Sequence, residues 1–180
     1  MCLETERLIL RPWREDDAEE LYKYASDPDV GPAAGWPVHT SVENSREIIS
    51  SVLSAEGTYA LVLRETGLPV GSIGIMHDKN VPTGENEAEI GYWIGKPFWG
   101  RGLVPEAVEA ALHCCFEELG CERVWCAFYE GNEKSRRVQE KCGFVFERRE
   151  DNKFCALVNE YRNEIVNVLD RETWIKNKKQ

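Results

Sequence analysis

The chain has 180 residues, of which 42% are hydrophobic and 30% are charged. This composition excludes a disordered protein and predicts one domain over residues 1–180, with a core that needs neither disulfides nor a metal. Asp and Glu number 32 against 22 Lys and Arg, a formal net charge of −10. Such acidity argues against a nucleic-acid-binding surface and favours a cationic substrate such as an amine.

The seven cysteines are an odd number, and no pair has C-x-x-C spacing. We therefore expect buried free thiols and a cytoplasmic location, with no export segment before Cys2. No Cys and His cluster has the spacing of metal ligands, so no metal is expected. No apolar run is long enough to cross a bilayer, so no membrane association is expected.

Apolar spacing and turn residues predict the elements of the first half of the chain. In order these are a strand at 7–13, a helix at 15–25, a Gly- and Pro-rich loop at 30–37, a second helix that starts at Ser41 or Asn44, and a hairpin of strands at 58–64 and 69–77. A polar connection at 78–87 leads into the second half.

The second half alternates strands and helices. In order the predictions are a strand at 88–94, a helix at 103–119 with a buried face that includes Leu119, a strand at 122–129, a helix at 132–141, strands at 144–149 and 164–169, and a tail at 170–177. This order predicts a mixed α/β fold with helices packed on a mostly antiparallel sheet.

The junction at 99–107 (WGRGLVPEA) joins a predicted strand to a predicted helix. Gly100 and Gly102 remove side chains that would block access to backbone amides, and a helix start has unpaired N–H groups and a positive dipole end. With Arg101 between the glycines, the segment predicts an anion site, and hence a phosphate-bearing cofactor. A simple tight turn is the alternative. Positive charges near this predicted site run against the net charge of the chain: Lys96, Arg101, Lys134, Arg136, Arg137 and Lys141.

Three segments together resemble the GNAT superfamily of N-acetyltransferases, and most closely its ribosomal-protein N-terminal acetyltransferase (RimJ/RimL) branch. They are 88–94 (AEIGYWI), the junction at 99–107, and 132–144, which opens with Asn132-Glu133-Lys134-Ser135. The resemblance covers nearly the whole chain. It implies a twisted, mostly antiparallel sheet of about seven strands flanked by helices, with a splayed central strand pair widened by a bulge near Gly91.

The resemblance also implies acetyl-CoA as the acyl donor. In the family the glycine turn holds the pyrophosphate, the strand before it contacts the pantetheine arm, and the Asn-x-x-Ser pair faces the sulfur. Carried over to this chain, the cofactor-binding residues are Tyr92, Trp93, Ile94, Trp99, Gly100, Arg101, Gly102, Leu103, Val104, Asn132 and Ser135.

The chain departs from the family pattern at four positions. Trp99 stands where Gln or Arg is usual, Val104 where Gly or Ala is usual, and Pro105 supplies no N–H to the helix start. Many relatives have a tyrosine acid seven residues after the Asn, whereas this chain has Gln139 there. An amide cannot protonate a thiolate, so that role is not transferred to this position.

The implied reaction is direct attack of a neutral amine on the thioester, which needs a base, an oxyanion donor and a weak acid for the thiolate. We predict Ser135 as the group that meets the sulfur; its alternative role is support of the helix start. We predict Glu89 as the base, acting directly or through water; its alternative is a surface or an ion-paired carboxylate. Tyr129 is a reserve acid.

The resemblance implies an amine acceptor, which is either a peptide N-terminus or a small amine. By analogy with the family, its pocket is predicted to involve the 31–37 loop together with Trp13, Trp36 and His39; core packing is the alternative for these rings. The oligomeric state is not specified, and a homodimer stays open. A non-catalytic acetyl-CoA sensor is the alternative function, and Gln139 is the residue that favours it.

Overall fold

A computed structural model describes residues 3–77, 84 and 86–179. Within these residues the strands and helices are, in chain order, β1 (Leu3–Glu4), β2 (Leu8–Arg11), α1 (Ala18–Ala25), α2 (Gly31–Ala34), α3 (Val42–Ile48), β3 (Thr58–Leu63), β4 (Leu68–His77), β5 (Glu87–Ile94), α4 (Leu103–His113), β6 (Arg123–Tyr129), α5 (Glu133–Lys141), β7 (Val145–Cys155), β8 (Glu160–Asp170) and α6 (Arg171–Asn177). Wider π-helical turns extend α3 through Ile49–Leu53 and α4 through Cys114–Glu118. Most of the predicted 78–87 connection, and Cys2, lie outside the described residues.

The strands form one sheet in the order β1-β2-β3-β4-β5-β6-β8-β7. Neighbouring strands are antiparallel throughout, except for the parallel pair β5 and β6. The mixed α/β fold with a mostly antiparallel sheet is therefore confirmed. The described part of the sheet has eight strands because the short β1 pairs with the start of the sheet through Leu3 and Leu10.

The centre of the sheet splits between β5 and β6. They pair only where Glu87–Glu89 meets Arg123–Trp125. Beyond that point β5 continues along β4, while β6 continues along β8 as far as Tyr129. The predicted bulge near Gly91 is wrong, because the register of β4 and β5 runs unshifted through this residue. The two strands diverge because each follows its outer neighbour.

Helices cover both faces of the sheet. On one face α4 buries the apolar positions Leu103, Val104, Ala107, Val108, Ala111 and Leu112, whose spacing is helical. On the other face α1 packs Ala18, Leu21 and Ala25 in a second cluster with Trp13 and Ile49. The two apolar clusters thus lie on opposite faces of the sheet, and the first of them includes residues of both β5 and β6.

The end of the α4 segment follows the prediction except at one position. Gly120 has the positive φ expected just after a helix, at 70°. Leu119, predicted to be buried, is 37% exposed, because the π-helical turn at Cys114–Glu118 changes which positions face the sheet. The predicted burial of Val108 and Cys115 is confirmed.

The C-terminal third holds more regular structure than predicted. The predicted tail forms α6, capped by Asp170, whose carboxylate accepts a hydrogen bond from the Thr173 amide at 2.7 Å, and Trp174 buries its ring. β7 and β8 have 11 residues each and are far longer than predicted. The 30–37 loop contains the short helix α2.

The cysteines within the described residues are free thiols, and all are buried except the half-buried Cys155. Within 3–77, 84 and 86–179, no group of His, Cys, Asp and Glu could hold a metal ion. No helix in the described part of the chain is both long and apolar enough to span a membrane.

Candidate active site

The split between β5 and β6 opens into a cleft of about 480 Å³. Its walls come from β5, β6, the glycine turn before α4, the inner face of α5, and α2 at the mouth. The predicted base Glu89 lines the cleft, and so do all but one of the predicted cofactor-binding residues: Tyr92, Trp93, Ile94, Trp99, Gly100, Gly102, Leu103, Val104, Asn132 and Ser135. Arg101 is the exception. The fold thus brings together residues from three separate segments.

The glycine turn requires its glycines for their backbone conformation. Gly100 and Gly102 both have φ of 74°, and Gly102 is the N-cap of α4. A side chain would be strained in this left-handed region, whereas glycine adopts it freely. The following amides of Leu103 and Val104 lie in the first helical turn, where the helix itself offers no acceptor. The turn is therefore suited to bind an anion.

Arg7 stabilises the glycine turn through hydrogen bonds to its backbone. Its guanidinium donates to the carbonyl oxygens of Arg101 at 2.8 Å and Gly102 at 3.2 Å. In a trans peptide the C=O and the next N–H point in opposite directions. The amides of Gly102 and Leu103 are thereby directed away from Arg7.

Glu106 completes this clamp from the first turn of α4. Its carboxylate accepts from Arg7 Nε at 2.6 Å, from the Arg7 amide at 2.8 Å and from Thr5 Oγ1 at 2.5 Å. Burial acts to raise the pKa of Glu106, but these hydrogen bonds outweigh it and hold the pKa below the ordinary value. No local sequence pattern indicates this clamp, because Arg7 and Glu106 are 99 residues apart.

Trp99 fixes the turn to the end of β5. Its indole Nε1 donates to the Ile94 carbonyl at 3.0 Å, and the ammonium of Lys134 lies 3.9 Å from the centre of its ring. The tryptophan at this unusual position therefore joins the glycine turn to β5 on one side and to α5 on the other.

The positive charges predicted near the cofactor divide into two groups. Lys134, Arg137 and Lys141 project from α5 and line the cleft. The remaining three do not line the cleft: Lys96 pairs with Asp29, Arg136 pairs with Glu133 at 3.0 Å, and Arg101 lies 5.5 Å from the centre of the Phe98 ring, at the edge of the cleft that Phe98 lines. One side of α5 therefore supplies most of the positive charge in the cleft.

Ser135 lies at the start of α5 and reaches β5 across the cleft. Asn132 caps the helix by accepting the Ser135 amide at 3.2 Å, as the sequence predicts. Ser135 Oγ lies 2.8 Å from the hydroxyl of Tyr92. Burial raises the pKa of Tyr92 far above the ordinary value, so the phenol is protonated and able to donate. This contact was not predicted, since Tyr92 was expected to act only through the strand that carries it.

Gln139, at the position where many relatives have tyrosine, is fully buried. Its Nε2 donates to the Ala127 carbonyl at 3.3 Å and to Ser135 Oγ at 3.4 Å, and its Oε1 accepts from Asn167 Nδ2 at 2.8 Å. The amide therefore ties α5 to β6 and β8. It meets the same serine oxygen that Tyr92 contacts.

Two carboxylates, those of Glu89 and Glu164, line the cleft. Burial raises the pKa of the half-buried Glu89, and the negative charge of Glu164 raises it further. The positive charges of Lys153 and Arg148 act in the opposite direction and are outweighed. A carboxylate with a raised pKa is better matched to accept a proton near neutral pH than an ordinary glutamate.

The aromatic residues predicted to wall an acceptor pocket pack against Trp93 and against one another. The ring of Trp93 stacks on Trp13 at 6.3 Å and meets the edge of Trp36 at 5.5 Å. His39 is buried against Trp36, and burial lowers the pKa of its imidazole. Of this cluster only Trp93 lines the cleft, so core packing accounts for the other three rings.

The mouth of the cleft is formed instead by α2 and the end of β6. Ala33 and Ala34 of α2 line it together with Tyr129. The hydroxyl of Tyr129 donates to Cys155 Sγ at 3.3 Å, and the thiol of Cys155 lies 3.3 Å from the Gly35 carbonyl. Burial together with this contact raises the pKa of Tyr129 to about 12. The Tyr129 phenol and the Cys155 thiol thus connect the sheet to Gly35 at the end of α2.

A glycine turn suited to bind an anion, a split sheet and a half-buried serine, all lining one cleft, are typical of a transferase that handles a long phosphate-bearing donor. The sequence matches the acetyltransferase (GNAT) domain family over residues 7–145, so the chain belongs to the GNAT family of acetyltransferases. It is an acyltransferase, and the family uses acetyl-CoA.

Individual relatives agree with this assignment. The chain is 32% identical over 148 residues to "Uncharacterized N-acetyltransferase p20" of Bacillus licheniformis, covering 79% of this chain and 81% of the relative. It is 24% identical over 150 residues to the "Ribosomal-protein-serine acetyltransferase" of Escherichia coli, covering 79% and 82%. A GNAT-family acetyltransferase structure from Bacillus anthracis superposes with a TM-score of 0.83 at 27% identity, covering 96% and 99%. The resemblance to the RimJ/RimL branch is thus confirmed.

Proposed function

We propose that the chain transfers the acetyl group of acetyl-CoA to a primary amine, by direct attack of the amine on the thioester. The observation that carries the proposal is the divergence of β5 from β6 immediately before the glycine turn. One continuous cleft thereby joins an anion-binding turn to Ser135 and Glu89. All 180 residues are proposed to act as one domain in the cytoplasm.

In this proposal the donor is held along its length by the chain. The amides of Gly102, Leu103 and Val104 bind the diphosphate, with positive charge from Lys134 and Arg137. The edge of β5 that is free beyond Glu89 offers backbone groups to the pantetheine arm, as an unpaired strand edge does for an extended ligand. Acetyl-CoA supplies the activated acyl group.

The chemistry is divided between the two walls of the cleft. Glu89 removes the proton of the incoming ammonium, directly or through a water molecule, so that the nitrogen has a lone pair. A backbone N–H of β5 beyond the split stabilises the tetrahedral oxyanion. Ser135 donates a hydrogen bond to the departing thiolate, whose parent thiol has a pKa of about 8.5 and needs only weak assistance.

The acceptor is proposed to be a peptide N-terminus or a small amine. The acidic end of the cleft, with Glu89 and Glu164, favours approach of a cationic group. The name of the Escherichia coli relative, "Ribosomal-protein-serine acetyltransferase", supports a ribosomal protein as the first acceptor to test, and we propose its N-terminal amine as the group that is acetylated.

Incubation with acetyl-CoA and a panel of N-terminal peptides and small amines tests the proposal. We expect release of free thiol that depends on the amine, with mass spectrometry showing one added acetyl group on the product. Tight binding of acetyl-CoA with no transfer to any amine would instead support the sensor. The relatives are named as transferases, and the hydrogen bonds of Gln139 to Ala127 and Asn167 give this residue a structural role, so its presence does not by itself favour the sensor.

Arg101 provides a test of the phosphate contact. Its exposed side chain lies beside the anion-binding turn, above Phe98. We expect Arg101→Ala to weaken CoA binding about fivefold, the loss of one exposed charged contact, and to leave binding of phosphate-free pantetheine unchanged. Isothermal titration with both ligands measures the difference. Equal losses for the two ligands would contradict a phosphate contact.

A further inference from the structure

We infer that Tyr92 and Gln139 together position Ser135, so that its hydroxyl proton points into the cleft at the leaving sulfur. The inference rests on the proposed transfer reaction and assigns to these two residues a role at the sulfur. Tyr92 comes from β5 and Gln139 from α5, and both meet the same oxygen atom.

Gln139 occupies one lone pair of the serine hydroxyl. A hydroxyl has one proton to donate and two lone pairs that accept. The Nε2 of Gln139 can only donate, and its orientation is fixed because the same nitrogen donates to the Ala127 carbonyl while Oε1 accepts from Asn167. The contact of 3.4 Å with Ser135 Oγ is therefore a bond that the serine accepts.

Tyr92 determines where the serine proton points. The Tyr92 hydroxyl lies 2.8 Å from Ser135 Oγ and 3.2 Å from the Ser135 carbonyl oxygen. When its proton is on the carbonyl, the serine can donate back to the tyrosine. When its proton is on Oγ, both lone pairs of the serine are filled and the serine proton must find a third partner in the cleft.

Negative charge that develops on the sulfur selects the second arrangement. In the transfer step the N–C bond forms, the C–S bond breaks, and its electron pair goes to the sulfur. The amine proton goes to Glu89, and Ser135 keeps its proton while donating a hydrogen bond to the thiolate. Charge-assisted hydrogen bonds are about twice as strong as neutral ones, so a positioned donor favours departure of the thiolate.

Titration of CoA bound to the protein tests the inference without an acceptor. A hydrogen bond to the thiolate lowers the pKa of a thiol, which can be followed by the ultraviolet absorbance of the thiolate. We expect Ser135→Ala to raise the pKa of the bound CoA thiol by about one unit, and Tyr92→Phe to produce most of the same shift. The double variant should shift the pKa no further than Ser135→Ala alone.

Tyr161→Phe is the matched control, because it removes a hydroxyl from an exposed tyrosine of β8 outside the cleft. It should leave the pKa of bound CoA unchanged. If Tyr92→Phe behaves like this control while Ser135→Ala shifts the pKa, or if the two shifts simply add, the positioning role is wrong.

Turnover gives a second readout. We expect kcat to fall about tenfold in Ser135→Ala and about fivefold in Tyr92→Phe, with KM for acetyl-CoA within twofold of wild type and no further loss in the double variant. Gln139→Met, checked for folding by its thermal melting curve, should lower kcat in the same way. Additive losses of kcat, or a loss in KM alone, would overturn the inference. Non-additive shifts in the thiol titration without transfer to any amine would refute the proposed function and retain the hydrogen-bond arrangement.

Discussion

Glu89→Gln is expected to lower kcat/KM for the amine about a hundredfold, the lower end of what removal of a general base costs. The wild-type rate should rise with pH as Glu89 loses its proton, because only the carboxylate can accept the amine proton. Burial and the charge of Glu164 raise the pKa of Glu89, so this rise should occur above the ordinary glutamate value of about 4.3. Measurement of kcat/KM against pH at saturating acetyl-CoA shows whether the rise is lost in the variant.

Glu164→Gln is the matched control for this pH dependence. It removes a charge that raises the pKa of Glu89 and leaves the proposed base in place. The acidic limb should therefore move to lower pH, whereas Glu89→Gln should abolish it. An acidic limb at an unchanged pH in Glu89→Gln would assign the titration, and the base, to another group.

Much of the fold is predictable where an element carries its own boundary signals. Ser41 accepts the Asn44 amide at 3.0 Å and starts α3, and Asn132 caps α5 in the same way. Asp170 carries this signal too, yet the segment after it is short and charged and is predicted as a tail. Helix α6 is stabilised by the buried ring of Trp174, a tertiary contact that the local sequence pattern does not predict.

The lengths of β7 and β8 depend on pairing and not on hydrophobic alternation. Nearly every side chain of β7 is exposed, so the strand lacks the alternating pattern by which strands are found in a sequence. It extends to Cys155 because its ladder with β8 continues to Glu160. The order of apolar residues therefore does not predict how far β7 and β8 extend.

In the candidate site too, local sequence segments are predictable and tertiary contacts are not. Most of the residues that line the cleft are predictable because the family resemblance marks three contiguous segments, whereas the lining residues of α2 and β6 lie outside those segments. The contacts that hold them are not, since each joins distant positions: Tyr92 and Ser135 are 43 residues apart, and Arg7 and Glu106 are 99 apart. In the sequence, Gln139 indicates only that the tyrosine acid of many relatives is absent. Its structural role follows from its hydrogen bonds to Ala127, Ser135 and Asn167, which only the structure shows.

Glu106→Ala is expected to loosen the glycine turn and to weaken CoA binding about tenfold. The substitution removes the carboxylate that orients Arg7, which in turn holds the carbonyls of Arg101 and Gly102. Loss of the charged hydrogen bonds from Thr5 and Arg7 should also lower the free energy of unfolding by about 2 kcal/mol. Calorimetric titration with CoA and chemical denaturation measure the two effects separately.

Glu109→Ala, on the exposed side of the same helix, is the control and should change neither quantity appreciably. The pH dependence supplies a further check. Because the folded-state pKa of Glu106 is lowered, its stabilising contribution is complete above the unfolded-state pKa and is lost as the pH falls through the folded-state value. The stability difference between wild type and Glu106→Ala should therefore shrink in acid. If Glu106→Ala lowers stability but leaves CoA affinity within twofold, the clamp supports the fold alone, and the direction of the amides is set by the glycines themselves.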